Sequence, residues 1–152
     1  MYIYHNGFII REGTKGIPAS AVKSLFQDAG WVGNHTPTWQ DERFTLIFEN
    51  STWAFTVWDH EEMIAMIRVI SDQIMAAMIM DVVVKSDYRG QGIGKKLVEL
   101  CLQKLPHGDW FANTSANNFD FYKKCGFEVK DLSQNGACAY YGFTEARKQG
   151  HR

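Results

Sequence analysis

Cysteine, proline and an excess of one charge are all scarce in this chain. Its 152 residues hold three cysteines, Cys101, Cys125 and Cys138. An odd number at wide spacing makes neither a disulfide framework nor a zinc ligand set. Three prolines occur, at positions 18, 37 and 106, and no low-complexity linker or internal repeat divides the sequence. Lys and Arg total 16 and Asp and Glu 17, for a formal net charge of -1. Such a chain has no global pull toward nucleic acid or acidic membranes. No apolar run approaches the ~18 residues of a membrane span. The opening Met1-Tyr2-Ile3-Tyr4-His5-Asn6 lacks the basic and apolar regions of a secretory leader. The histidines, His5, His35, His60, His107 and His151, show no metal-ligand spacing. The expectation is a reduced, cytoplasmic protein with no metal, no nucleic-acid partner and no membrane partner.

The composition, 45% hydrophobic, 14% aromatic and 22% charged, supplies enough apolar material for one domain over residues 1–152. A first strand is expected over residues 8–12. Val22, Leu25, Phe26 and Ala29 fall at helical spacing, with Gly30 as the stop. Thr38-Trp39-Gln40-Asp41 matches a loose capping box, which predicts a second helix to about Glu49. Residues 52–58 and 63–70 read as a hairpin around the polar turn 59–62. The apolar run 74–84 suits a central strand buried on both faces. Residues 97, 98, 101, 102 and 105 make one helical face over 94–105. A short strand over 109–113, a short helix over 117–124 ending at Gly126, extended chain over 127–129 and a last strand over 137–143 complete the pattern. The order describes a mixed α/β (α+β) domain with a mostly antiparallel middle and helical crossovers between parallel neighbours.

The segment richest in chemistry is Val82-Val83-Val84-Lys85-Ser86-Asp87-Tyr88-Arg89-Gly90-Gln91-Gly92-Ile93-Gly94-Lys95. A buried strand runs through a turn into three glycines and then a helix. Glycines let backbone N–H groups approach a ligand closely, and a helix N-terminus adds partial positive charge, a setting that suits a pyrophosphate. A Walker A loop fails twice, because Arg89 stands at its first glycine and Lys96 at its Ser/Thr. A dinucleotide GxGxxG fails in both registers, with Lys95 or Leu97 at the third glycine.

Arg89-x-x-Gly92-x-Gly94 fits the [R/Q]-x-x-G-x-[G/A] signature, and here the sequence resembles the GNAT superfamily of acyl-CoA N-acyltransferases. Phe121-Tyr122-Lys123-Lys124-Cys125-Gly126-Phe127-Glu128 resembles that family's second signature, FY-x-x-x-GFE. Ala65 to Asp72, together with Leu25-Phe26-Gln27-Asp28-Ala29-Gly30-Trp31, is similar to a subgroup containing arylalkylamine-type acetyltransferases. The resemblance implies the GNAT fold, a mostly antiparallel sheet flanked by helices, with acetyl-CoA as cosubstrate. It places the pantetheine arm along the backbone of Val82, Val83 and Val84. It places the pyrophosphate on Arg89, Gly90, Gln91, Gly92, Ile93, Gly94 and Lys95, with Asn117 as a further contact to the arm. It makes Tyr122 the general acid that protonates the leaving sulfur.

Asp81 is the candidate base, because a carboxylate in an apolar strand costs free energy unless paired or functional; pairing with Arg68 is the structural alternative. Glu49 and His35 are lesser candidates. Trp31, His35 and Trp39 could wall an aromatic substrate pocket, or the tryptophans could be core packing. The reaction expected is acetyl transfer to a primary amine by direct attack in a ternary complex, the acceptor being a small amine, with an aromatic one as the option the tryptophans suggest. The alternatives are a protein or peptide acceptor, or a non-catalytic CoA-binding sensor. Dimers are frequent in this fold, so a homodimer is an open expectation.

Overall fold

The computed structural model describes residues 1–130 and 148–149. The strand expected over 137–143, Cys138, His151 and most of the tail 142–152 lie outside the described residues.

The described strands form one six-stranded sheet in sequence order: β1 (Tyr2–His5), β2 (Phe8–Glu12), β3 (Trp53–Asp59), β4 (Glu62–Ser71), β5 (Ala76–Val84) and β6 (Asp109–Ala112). All neighbours are antiparallel except β5 and β6, which run parallel. The helix α4 (Ile93–Leu102) makes the crossover between them, as parallel neighbours require. The other helices are α1 (Ala19–Asp28), α2 (Thr38–Asp41), α3 (Phe44–Glu49) and α5 (Phe119–Lys124).

The sheet separates two apolar clusters. Ile10, Phe55, Val57, Ile67, Ile79, Ile93, Leu97, Val98 and Cys101 pack on the α4 side. Val22, Leu25, Phe26, Phe44, Phe48, Met66 and Val83 pack on the α1 side. The 3.6-residue spacing read in residues 97–105 is the face of α4 that meets the sheet. The helix itself ends at Leu102, and Leu105 is buried beyond it.

Four expectations are corrected. The strand β1 was missed, although its signal was present: Asn6-Gly7, at φ 49 and 83, is the two-residue hairpin turn that needs positive φ at both positions. The helix expected over 38–49 is two short helices broken at Arg43 (φ -100, ψ 0). No capping box forms there, since Thr38 is already helical and Pro37 precedes it. Asp41 instead pairs with Thr36 and Lys23, and Thr45 donates to the Ile17 carbonyl at 2.5 Å, so tertiary contacts hold each piece separately. Residues 74 and 75 stay outside β5 because Asp72 Oδ1 accepts the N–H groups of Ile74, Met75 and Ala76. β5 is not buried on both faces: Met78 and Met80 are 38% and 41% exposed. Met80 is the residue that the β4–β5 register skips, between Asp81 opposite Arg68 and Ile79 opposite Val69. Residues 127–129 pair with no strand among the described residues.

Candidate active site

The site begins where β5 loses a neighbour. β5 pairs with β6 only from Ala76 to Ile79, whereas its pairing with β4 continues to Val84 opposite Ala65. From Met80 onward one edge of β5 is therefore open among the described residues. The Lys85 N–H donates to the Ile64 carbonyl at 2.8 Å. Backbone groups alternate sides along an antiparallel strand, so Val82 and Val84 turn theirs toward the open edge. Arg89 Nε already donates to the Val84 carbonyl at 3.0 Å. The Val83 side chain is buried on the α1 side, while Val82 and Val84 border the other cluster. The valines are thus core by side chain and accessible by main chain.

A 3-10 turn, Ser86–Tyr88, leads into the glycine loop. Gly90 and Gly92 both sit at φ 78, a conformation that L side chains rarely adopt. A Cβ at either position would meet nothing within 4 Å. Backbone conformation, not crowding, requires glycine there. The N–H groups from Gly90 to Lys95 have no backbone acceptor among the described residues. They form a concentration of free donors at the N-terminus of the ten-residue α4, a setting suited to an anion. The Lys95 side chain is exposed beside them. The residues present therefore fit the diphosphate of a CoA-type ligand.

Gly94 has a different reason for lacking a side chain. A Cβ there would lie 3.1 Å from Phe121 Cε2 and 3.6 Å from Val84 Cγ2. The close approach presses the second sequence signature onto the first. Phe121 precedes Tyr122 in α5, and their rings meet edge to face at 5.1 Å. Phe127 closes the other side of Tyr122 at 5.4 Å. The helix ends in a Schellman motif, with Gly126 (φ 91) donating to Lys123 and Phe127 to the Tyr122 carbonyl. Tyr122 is 6% exposed. Burial, followed by the nearby Cys125 and Asp81, pushes its phenol up to about 12. A phenol so placed keeps its proton across the neutral range and can only donate it there.

Asp81 lies opposite Arg68 on β4, beside the irregularity between Arg68 and Val69. The two side chains, each 17% exposed, form an ion pair. The structural alternative for Asp81, a cross-strand pair with Arg68, is present. Arg68 also reaches Ser51 Oγ at 3.5 Å.

Asn117 lies exposed in the 3-10 turn Ala116–Asn118 that precedes α5. Trp31 packs on Phe26 at 5.5 Å, Trp39 stands in α2, and His35 lies in the loop between them. Trp31 and Trp39 remain 44% and 51% exposed, so core packing accounts for neither.

Sequence reasoning missed the carboxylates that hold the turn before the glycines. Asp28 accepts from the Ser86 N–H at 2.9 Å and from its hydroxyl at 2.8 Å. Asp59 accepts from the Tyr88 hydroxyl at 2.8 Å, and Glu62 pairs with Lys85. Burial raises the Asp28 carboxyl, but the two Ser86 hydrogen bonds and the charges of Arg89 and Lys85 outweigh it and hold it below the usual carboxylate range. The one signal in the sequence was an acidic residue at a helix C-terminus, where the dipole disfavours it. Among the described residues, no group of three or more His, Cys, Asp or Glu side chains could hold a metal ion. No helix among them is long and apolar enough to cross a membrane.

An open-edged strand feeds a glycine loop and a helix N-terminus, and Phe121, the neighbour of the buried Tyr122, packs on Gly94 at the start of that helix. The sequence model described as "Acetyltransferase (GNAT) domain" matches residues 50–129, just over half of the chain, and the chain belongs to that family. GCN5-related N-acetyltransferase 2, chloroplastic, of Arabidopsis thaliana is 40% identical over 74 residues, which are 45% of this chain and 28% of that protein. Histone acetyltransferase TAP1 of Glycine max is 36% identical over 76 residues, 47% of this chain and 32% of that protein. These matches thus span about a third of the curated relatives' length. The structure of a GNAT-family acetyltransferase from Streptococcus pneumoniae TIGR4 superposes with a TM-score of 0.67 at 21% identity, over 90% of this chain and 97% of that chain. At that identity the likeness establishes the fold.

Proposed function

We propose that this chain transfers the acetyl group of acetyl-CoA to a primary amine by direct attack in a ternary complex. One arrangement carries the reading: the open edge at Val82 and Val84 runs straight into the free N–H groups of Gly90 to Lys95. The edge suits the amide-bearing pantetheine arm, and the loop suits the pyrophosphate, with Lys95 adding positive charge. Asn117 stands as a further polar contact. Acetyl-CoA supplies the activated acetyl group. Tyr122 Oη is the general acid, delivering its proton to the leaving sulfur. Asp81 is assigned as proton acceptor for the incoming ammonium, acting through water while it remains paired with Arg68. Among the described residues, no cysteine or serine stands in a nucleophile setting, which favours direct transfer over an acyl-enzyme.

The acceptor is a small amine with an apolar or aromatic body, a reading supported by the exposed Trp31 and Trp39 with His35 between them. This accords with the likeness to arylalkylamine-type acetyltransferases. The second reading, a protein or peptide acceptor, is favoured by the relative named as a histone acetyltransferase. The protein acts in the cytoplasm on this proposal.

Thiol release from acetyl-CoA, followed against arylalkylamines, polyamines, aminoglycosides, amino sugars, amino acids and short peptides, decides between the two. Turnover with arylalkylamines supports the aromatic pocket, and turnover confined to peptides supports the second reading. CoA binding with no acceptor in either class would point to a sensor and overturn the assignment of Tyr122. Absence of CoA binding would overturn the reading of residues 82–95.

A further inference from the structure

Asp28 occupies a place that its own helix disfavours. It is the last residue of α1, a helix with no basic residue in its final turn, and a carboxylate there faces the negative end of the dipole. Its reason lies outside the helix. The side chain binds Ser86, 58 residues further along, through both oxygens. Arg89 Nη2 lies 3.9 Å from Asp28 Oδ2, while Arg89 Nε donates to the Val84 carbonyl. The residue after Arg89 is Gly90, where the free N–H groups begin.

The other end of this connection is the acceptor side. Directly after Asp28, α1 closes in a Schellman motif: Gly30 (φ 75) donates to Gln27 and Trp31 to the Phe26 carbonyl. That closure seats Trp31 on Phe26. Asp59 and Glu62 also hold the turn, through Tyr88 and Lys85. Asp28 is the one of the three carboxylates placed against both Ser86 and Arg89.

We propose that Asp28 is a positioning residue for the CoA diphosphate: through Ser86 and Arg89 it fixes the entry to the glycine loop, and it joins that loop to the segment carrying Trp31. The inference rests on the acetyl-CoA reading above. Asp28 does not touch the reacting atoms, so its loss weakens the hold on the diphosphate and leaves the chemistry at Tyr122 intact. Asp28→Asn keeps an acceptor for Ser86 and removes the charge facing Arg89. Asp28→Ala removes both.

The test measures the dissociation constant of CoA by calorimetry for the full chain and both variants. It also measures kcat/KM with two donors, acetyl-CoA and S-acetyl-pantetheine, which lacks the diphosphate. Asp28→Ala is expected to weaken CoA binding about tenfold, the effect of one charge-assisted hydrogen-bond system, with Asp28→Asn in between. kcat/KM is expected to fall in parallel for acetyl-CoA and to stay within about twofold for S-acetyl-pantetheine. Unchanged CoA affinity in both variants overturns the proposal. An equal fall with both donors also overturns it, since it marks a general structural role. A wild-type chain that binds CoA but transfers to no amine defeats the transfer reading alone, and the CoA affinities of the variants still decide Asp28.

Discussion

Replacing Asp81 with Asn separates its two roles, because one of them shows in stability and the other in turnover. Asp81 and Arg68 are each 17% exposed and paired across β4 and β5. Exposed ion pairs couple by about 0.2–1 kcal/mol, and breaking a fully buried pair costs about 3–5 kcal/mol. A pair buried to this degree lies between, at roughly 2 kcal/mol of coupling energy. The cycle compares wild type, Asp81→Asn, Arg68→Met and the double variant by urea unfolding. With a denaturant slope of about 1–3 kcal/mol per molar, Asp81→Asn moves the midpoint down by about 1 M. The double variant recovers much of that loss, because Arg68 is no longer left half-buried without its partner. Turnover per folded molecule gives the second axis. A base at Asp81 predicts a fall of about a hundredfold in kcat in both Arg68 backgrounds. A coupling below about 0.5 kcal/mol would refute the packing argument. Full turnover in folded Asp81→Asn would refute the base.

Tyr122→Phe is expected to lower kcat about a hundredfold while leaving the CoA dissociation constant unchanged; equal turnover sinks the general-acid assignment. The acid must be protonated to act and its pKa is raised to about 12, so a pH profile of kcat shows no alkaline fall from Tyr122 up to about pH 10, and a fall centred near neutrality contradicts it. Gly94→Ala sets up to about 1 kcal/mol of helix propensity against about 1–3 kcal/mol of overpacking on Phe121. The expected net is destabilisation by thermal unfolding with a loss of turnover, whereas a stabilised, fully active variant would show that Phe121 yields freely. Cys101 is buried, and that burial pushes its thiol up to about 12. It should resist alkylation at pH 8 in the native chain and react after unfolding, as peptide mass spectrometry would show.

The sequence by itself determined the family signatures and most of the sheet. Alternating and continuous apolar runs marked β2 to β6, because strand and helix periods differ enough to be read locally. The glycines at 90, 92 and 126 were legible because a backbone conformation permitting almost no other residue leaves the residue type as its trace. The missed β1 was legible too, in Asn6-Gly7. What only the tertiary structure decided are matters of what comes from elsewhere in the chain. The helix over 38–49 breaks because Ile17, Thr36 and Lys23 hold its two halves separately, and no local pattern contains those partners. The exposure of Met78 and Met80 breaks no local pattern, and the register irregularity that skips Met80 is set by pairing with β4. Gly94 looked like one more loop glycine, and only the packing of Phe121 shows that space, not φ, fixes it. Asp28, Asp59 and Glu62 are unremarkable acids in the sequence. They become the anchors of one turn because long-range packing brings three elements to the end of β5, and charge placement of that kind leaves no period to read.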